Sequence, residues 1–203
     1  MTQQERQARS RAKIFEAALA EFGSHSFEDV TMDAICAGHA ISKGMMYHYY
    51  SRKEDLFLLC VEHTFRQLAQ FLAQKCAALE SLEPAQAIQA YFAAREEFFA
   101  VHPQEKTVFE SAMLRPPAAL QADIARLREP VARQNRTFLT AVTHRLSLRP
   151  GVSQEDAARY LEGIEAVFPT LLRNGLGPGA DMAGLMKASQ AVLKWILFGI
   201  ARE

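Results

Sequence analysis

The chain has 203 residues, 49% of them hydrophobic, and its 23 basic and 23 acidic side chains give a formal net charge of zero. That much apolar material builds a buried core and excludes a disordered chain, while no run approaches the roughly 18–20 apolar residues of a membrane span. The polar start, Met1 to Arg11, lacks an apolar signal core, and the three cysteines (Cys36, Cys60, Cys76) suit free thiols in a reducing cytoplasm better than a disulfide framework.

Charge is unevenly placed. Met1 to Lys13 carries Arg6, Arg9, Arg11 and Lys13 against Glu5, and His39 to Lys53 carries Lys43, Arg52, Lys53 and two histidines with no acid. Five acids (Glu16, Glu21, Glu28, Asp29, Asp33) lie between the two clusters, so residues 1–53 hold seven basic and six acidic side chains, a net of +1. Two basic clusters framing an acidic stretch permit a local positive patch without a basic domain.

Apolar residues recur at helical spacing nearly throughout, which predicts an all-α fold of about nine helices. The first runs from about Ser10 to Phe22, with Ile14, Phe15, Ala18, Leu19 and Phe22 on one face. Thr31 then reads as an N-cap, flanked by a Val30–Ile35 staple and followed by Asp33 at the positive helix end; this second helix stops near Gly38. Ser42 repeats the device between Ile41 and Met46 and opens a third helix that ends near Tyr50. Two short capped helices joined by a tight turn form a helix-turn-helix, whose second member has its N-terminal half placed for a major groove. A fourth helix follows from about Arg52 to Leu79. Pro84 begins a fifth that His102-Pro103 breaks, and a sixth spans Pro103 to Leu114. The seventh, Leu120 to Leu146, is expected to kink or split at Pro130. An eighth starts at the Ser153 cap and runs toward Asn174-Gly175, and after a glycine-rich loop a ninth runs from Asp181 almost to the end.

The segment from Ile41 to Leu56 is the most informative. Lys43, Tyr47, His48, Arg52 and Lys53 can each donate to an anionic oxygen, which suits a phosphate backbone. No carboxylate or thiolate stands beside a base, and no nucleotide loop is present, so an enzyme finds little support. His25, His39, Cys36 and Cys60 lack metal-ligand spacing, and no cysteine sits in an obvious cationic cluster. Neither metal nor cofactor is expected.

Residues 9–57 resemble the N-terminal domain of the TetR/AcrR family of bacterial transcriptional regulators. The matching residues are Ile14, Ala17-Ala18 and Phe22; Thr31, Asp33 and Ile35; and Ser42-Lys43-Gly44 with Tyr47-His48-Tyr49-Tyr50, Lys53 and Leu56. Departures are Ser26 before Phe27, with Gly23 earlier; His39-Ala40 before Ile41 where the family has Ala-Gly; and Met45-Met46 at positions usually small or polar. Alanine at a position wanting positive φ costs about 1 kcal/mol, and Gly38 could help the turn adjust. The resemblance implies a helix-turn-helix DNA-binding domain over 1–54 and a helical effector-binding and dimerisation domain over 55–203. It further implies that Lys43, Tyr47, His48 and Lys53 contact phosphates and that Thr31 offers its hydroxyl or helix-start amide to the same backbone. Gly44 and Met45 face base edges, and Ser42 belongs to that interface as a cap first. Met46 and Tyr49 are expected to pack the third helix on the first.

The eighth and ninth helices carry apolar residues around much of their circumference (Leu161, Ile164 and Phe168; Leu185, Trp195 and Phe198 among them), which fits an isologous homodimer interface. His63, Arg95, Asn135 and Glu165 interrupt apolar stripes. Each is a candidate effector contact, with internal hydrogen bonding as the alternative. The expected function is a cytoplasmic, ligand-responsive transcriptional repressor that binds a palindromic double-stranded operator as a homodimer and is released by a small-molecule effector. Zero net charge and the altered turn leave open an all-helical small-molecule binding or adaptor protein that no longer reads DNA.

Overall fold

The computed structural model describes residues 2–161 together with residues 163, 170, 181, 183, 184, 187 and 188. The helices are α1 (Gln3–Phe22), α2 (Met32–Gly38), α3 (Lys43–Tyr49), α4 (Lys53–Leu79), α5 (Pro84–Val101), α6 (Pro103–Leu114), α7 (Gln121–Leu127) and α8 (Glu129–Thr143), with a 3-10 turn, Ala118–Leu120, before α7. Helical backbone resumes at 154, where Ser153 Oγ accepts from the Asp156 amide at 3.0 Å. The fold is all-α, with an N-terminal helix-turn-helix.

Two boundaries carry a physical lesson. The first helix starts seven residues before the predicted Ser10, because Thr2 and Glu5 form a capping box. Thr2 Oγ1 accepts from the Glu5 amide at 3.2 Å, and Glu5 Oε2 accepts from the Thr2 amide at 2.8 Å. The first turns are exposed on every side, so no apolar stripe marked them. The expected seventh helix divides into α7 and α8 at Arg128–Glu129, just before Pro130. Proline lacks an N–H and crowds the preceding turn, so it is tolerated only at the start of the new helix.

The chain forms two compact units: Met1–Phe65 with His102–Arg128, and Arg66–Val101 with Glu129–Glu203. In the first, Ile14, Ala18 and Phe22 of α1, Ile35 of α2, Met46 of α3 and Leu56, Phe57 and Val61 of α4 are all buried. Phe22 and Phe27 each meet the Phe57 ring edge-on, at 5.1 and 5.0 Å between centroids. α1 and α6 approach closely at Gly23. A Cβ there would lie 2.6 Å from Gln104 Cβ and 2.8 Å from its Cα, so this glycine is demanded by packing. In the second unit, α5 packs on α8, with the rings of Tyr91 and Phe138 stacked at 3.8 Å. Phe71 of α4 meets Phe98 of α5 at 5.5 Å, and Lys75 pairs with Glu97 between the same two helices.

Candidate nucleic-acid interface

Helix α3 is seven residues long, so its orientation depends on its cap and its anchor. Ser42 Oγ accepts from the Met45 amide at 3.2 Å, satisfying a first-turn donor that has no partner within the helix. Met46 is completely buried, as expected, and α3 packs on both α1 and α2. With Met46 turned inward, the helical period turns its neighbours outward: Lys43, Gly44, Tyr47 and His48 are exposed, Tyr47 to 52%, and Met45 is half-buried. Tyr49, expected in the core, is half-buried beside Arg11, whose guanidinium carbon lies 5.5 Å from its ring centroid.

Gly44 differs from Gly23. A Cβ at Gly44 would meet nothing within 4 Å, and its backbone has an ordinary negative φ. Glycine in a helix costs up to about 1 kcal/mol relative to alanine, less in the first turn, where Gly44 sits. Neither packing nor conformation within the protein requires that cost here.

The turn before α3 keeps the left-handed geometry that glycine usually supplies. Ala40 has φ 50°, and Gly38 does not take over the bend. The strain is held by two hydrogen bonds: the Ile41 amide donates to Cys36 O at 3.0 Å, and Lys13 Nζ donates to Ala40 O at 2.8 Å. In α2, Thr31 Oγ1 accepts from the Ala34 amide at 3.1 Å, as predicted for the cap. Asp33 reaches from α2 to α3 and accepts from Lys43 Nζ at 2.8 Å, with both side chains about two-thirds exposed. That hydrogen bond and the carboxylate charge raise the Lys43 ammonium above its ordinary pKa, so it stays charged.

Lys53 has a different occupation from the phosphate contact expected of it. Its ammonium donates to three backbone carbonyls of the α1–α2 loop, Phe27 O (2.7 Å), Val30 O (2.9 Å) and Glu28 O (3.1 Å), and it lies 4.5 Å from the Phe27 ring centroid. An ammonium has three hydrogens, and all three are committed. The geometry is that of a buttress under Thr31.

The candidate effector residues divide. Arg95 and Asn135 come together in the second unit, where Arg95 Nη2 donates to Asn135 Oδ1 at 2.7 Å. Tyr91, which sequence reasoning missed, joins them: its hydroxyl donates to the same oxygen at 3.1 Å, and Arg95 lies over its ring at 5.1 Å. The available signal was its position one turn before Arg95 on α5. His63 belongs to the first unit, half-buried with its ring 4.7 Å from Phe15. Burial pushes its pKa below the usual imidazole range, Glu105 opposing and His102 adding to the effect. Glu165 and most of the eighth and ninth helices expected at the dimer interface lie outside the described residues. Among the described residues no three of His, Cys, Asp and Glu gather as metal ligands, and no helix is long and apolar enough to cross a membrane. Burial raises the thiol pKa of Cys36, Cys60 and Cys76.

Comparison with known proteins points one way. The sequence profile described as bacterial regulatory proteins, tetR family, matches residues 14–60. The HTH-type transcriptional repressor SCO4008 of Streptomyces coelicolor is 38% identical over 60 residues, which make up 30% of this chain and 31% of that repressor. The match therefore spans about a third of that relative's length. A structure from Mesorhizobium loti MAFF303099 assigned to the TetR family of transcriptional regulators superposes with a TM-score of 0.62 at 19% identity, covering 100% of both chains. The complex of SmeT with triclosan superposes with a TM-score of 0.61 at 19% identity, covering 96% of this chain and 93% of SmeT. At such identities the structural likeness speaks for the fold.

Proposed function

We infer that this chain, a member of the tetR family of bacterial regulatory proteins, is a repressor that binds a near-palindromic operator as a homodimer and is released by a small-molecule effector. Residues 1–54 read DNA and 55–203 carry the effector and dimer functions, although the packing units group the first half of α4, α6 and α7 with the reading head. The observation that carries the DNA reading is Gly44, a first-turn glycine on the exposed face of α3 that nothing within the protein requires. Its missing side chain makes sense when another surface must approach the α3 backbone closely. A major groove is that surface, flanked by phosphates for Lys43, Tyr47 and His48, with Met45 at the base edges beside thymine methyls. Ser42 and Thr31 hold the two helix starts and present them to the phosphate backbone. Lys53 is left out of the contact set, because its ammonium is committed to the α1–α2 loop.

The two α3 helices of a dimer enter half-sites about 34–36 Å apart, or a multiple of that distance. The dimer forms through the two C-terminal segments expected to be helical, 153–174 and from 181 onward. In the effector region, Arg95 and Asn135 are buried and hydrogen-bonded to each other and to Tyr91, so a polar effector group would engage them by exchanging one of those bonds. The triclosan complex of SmeT supports a small-molecule effector on this fold. An effector that favours a different spacing of the heads releases DNA by its differential affinity for the two states, and α4, one helix from Lys53 to Leu79, is the covalent link between reading head and effector region.

Selection from a random duplex pool tests the reading. The wild-type chain is expected to enrich a near-palindrome, and the Lys43→Ala/Tyr47→Ala double variant to bind it at least about tenfold more weakly, two charge-assisted or polar phosphate contacts being lost per chain. Failure to enrich any motif sinks the repressor reading and favours the helical adaptor.

A further inference from the structure

We propose that the N-terminal half of α1 is a second DNA-contacting surface, in which Arg6 and Arg9 together with Lys13 grip the phosphate backbone beside the groove that α3 enters. The proposal rests on the DNA-binding reading above and extends it to a helix outside the helix-turn-helix.

In sequence the two basic clusters are separated by five acids, and the fold brings the clusters together. Lys13 Nζ reaches the carbonyl of Ala40, just before α3, and Arg11 lies over the ring of Tyr49, at its end. α1 thus crosses α3 with a basic residue at each end of it. Of the intervening acids, Glu21 stands between His25 (3.6 Å) and His39 (3.5 Å) and Asp29 accepts from the Ser26 hydroxyl at 2.7 Å, while Asp33 lies at the α3 surface itself, paired with Lys43.

Beyond that crossing, α1 continues outward. Arg6, Arg9 and Lys13 are spaced by three and four residues, which puts them on one helix face, and all three are exposed. The Lys13–Ala40 bond fixes where that face looks: toward the turn that opens α3. Neither Arg6 nor Arg9 is paired with a carboxylate among the described residues, and the nearby Glu5 carboxylate accepts from the Thr2 amide. Like charges at these spacings cost an exposed helix a few tenths of a kcal/mol per pair, a cost that a polyanion lying along the face removes. From residue 6 to residue 13 the helix rises about 10 Å, the axial length of about three phosphate steps on one strand. The capping box at Thr2 matters for the same reason, since without it the turn bearing Arg6 would fray.

The test measures binding of the full chain to a mixed-sequence duplex of about 30 base pairs as salt is raised from roughly 50 to 200 mM. The Arg6→Ala/Arg9→Ala variant is expected to reduce the slope of log affinity against log salt by about 0.9 per arginine, or about 1.8 per bound chain, and to weaken binding on the order of tenfold at the low-salt end. The melting temperature should not fall, because alanine is the best helix former, and Arg6→Lys/Arg9→Lys should keep the wild-type slope. An unchanged slope in the alanine variant overturns the proposal, as does arginine-dependent binding to anionic lipid vesicles without arginine-dependent binding to DNA. Slope loss without any motif enriched from the random pool upholds the strip and sinks the operator reading. A motif enriched with the slope unchanged does the reverse.

Discussion

The two compact units treat polar side chains in opposite ways. In the first, Lys43, Tyr47, His48 and the arginines of α1 stand in water, and beneath them the core is aliphatic and aromatic. Its buried polar exception among the described residues is Thr64, whose hydroxyl has no partner. In the second, a guanidinium is buried, only 7% exposed, and engages an amide oxygen, a backbone carbonyl and two aromatic rings. A surface that meets a large polyanion leaves its donors solvated until the partner arrives. A group sealed inside must be satisfied by the fold itself, so its partners are also stability determinants. Substitutions should therefore separate the units: the polar change that costs most stability lies in the second, and the change that costs binding without stability lies in the first.

The largest effect is expected at Asn135. Asn135→Leu keeps the number and branching of side-chain heavy atoms but removes the oxygen that accepts from both Arg95 and Tyr91, and should lower unfolding free energy by roughly 3 kcal/mol in denaturant titration. A loss below about 1 kcal/mol, the level of an ordinary exposed hydrogen bond, would break the comparison. Next is Gly23→Ala, whose Cβ meets the Gln104 backbone and should cost about 2 kcal/mol by overpacking; Gly44→Ala should leave stability equal or higher while weakening DNA binding. Lys53→Met then sharpens the division within the first unit. Losing three donors to the α1–α2 loop should cost about 1–2 kcal/mol, with the salt slope of DNA binding unchanged; a slope reduced by about 0.9 would restore Lys53 to the phosphate contacts. Ala40→Gly relieves the left-handed turn and should raise stability by about 0.5–1 kcal/mol.

The smallest effect concerns pH. His63 has a lowered folded-state pKa, so the unfolded chain takes up the proton more readily and stability rises with pH. The melting temperature should be highest above the ordinary value of 6.5 and decline as pH falls through it. His63→Gln should flatten that decline, and a wild-type profile that is level between about pH 7.5 and 5.5 would contradict the burial assigned to His63.

Legibility followed the range of the interactions. The caps at Thr31 and Ser42 and the split at Pro130 depend on neighbours a few residues away, and each appears where the sequence predicts it. The strain at Ala40 was readable for the same reason, since one backbone dihedral is local. The start of α1 was missed because a solvated helix has no apolar stripe, only a Thr-x-x-Glu cap. The resemblance puts Lys53 among the phosphate contacts, and no local pattern reveals its three acceptors, which come from residues more than twenty positions earlier.

By itself the sequence determined the helical character of the described residues, the helix-turn-helix and the two caps that open its helices, because periodicity, capping and turn chemistry act over a few residues. Only the tertiary structure decided which glycine serves packing and which faces outward, whether a lysine supports a loop or remains available, and that two basic clusters divided by acids lie along one crossing of α1 and α3. Those outcomes depend on contacts between distant segments, whose positions follow from burial of the whole core and from no local pattern.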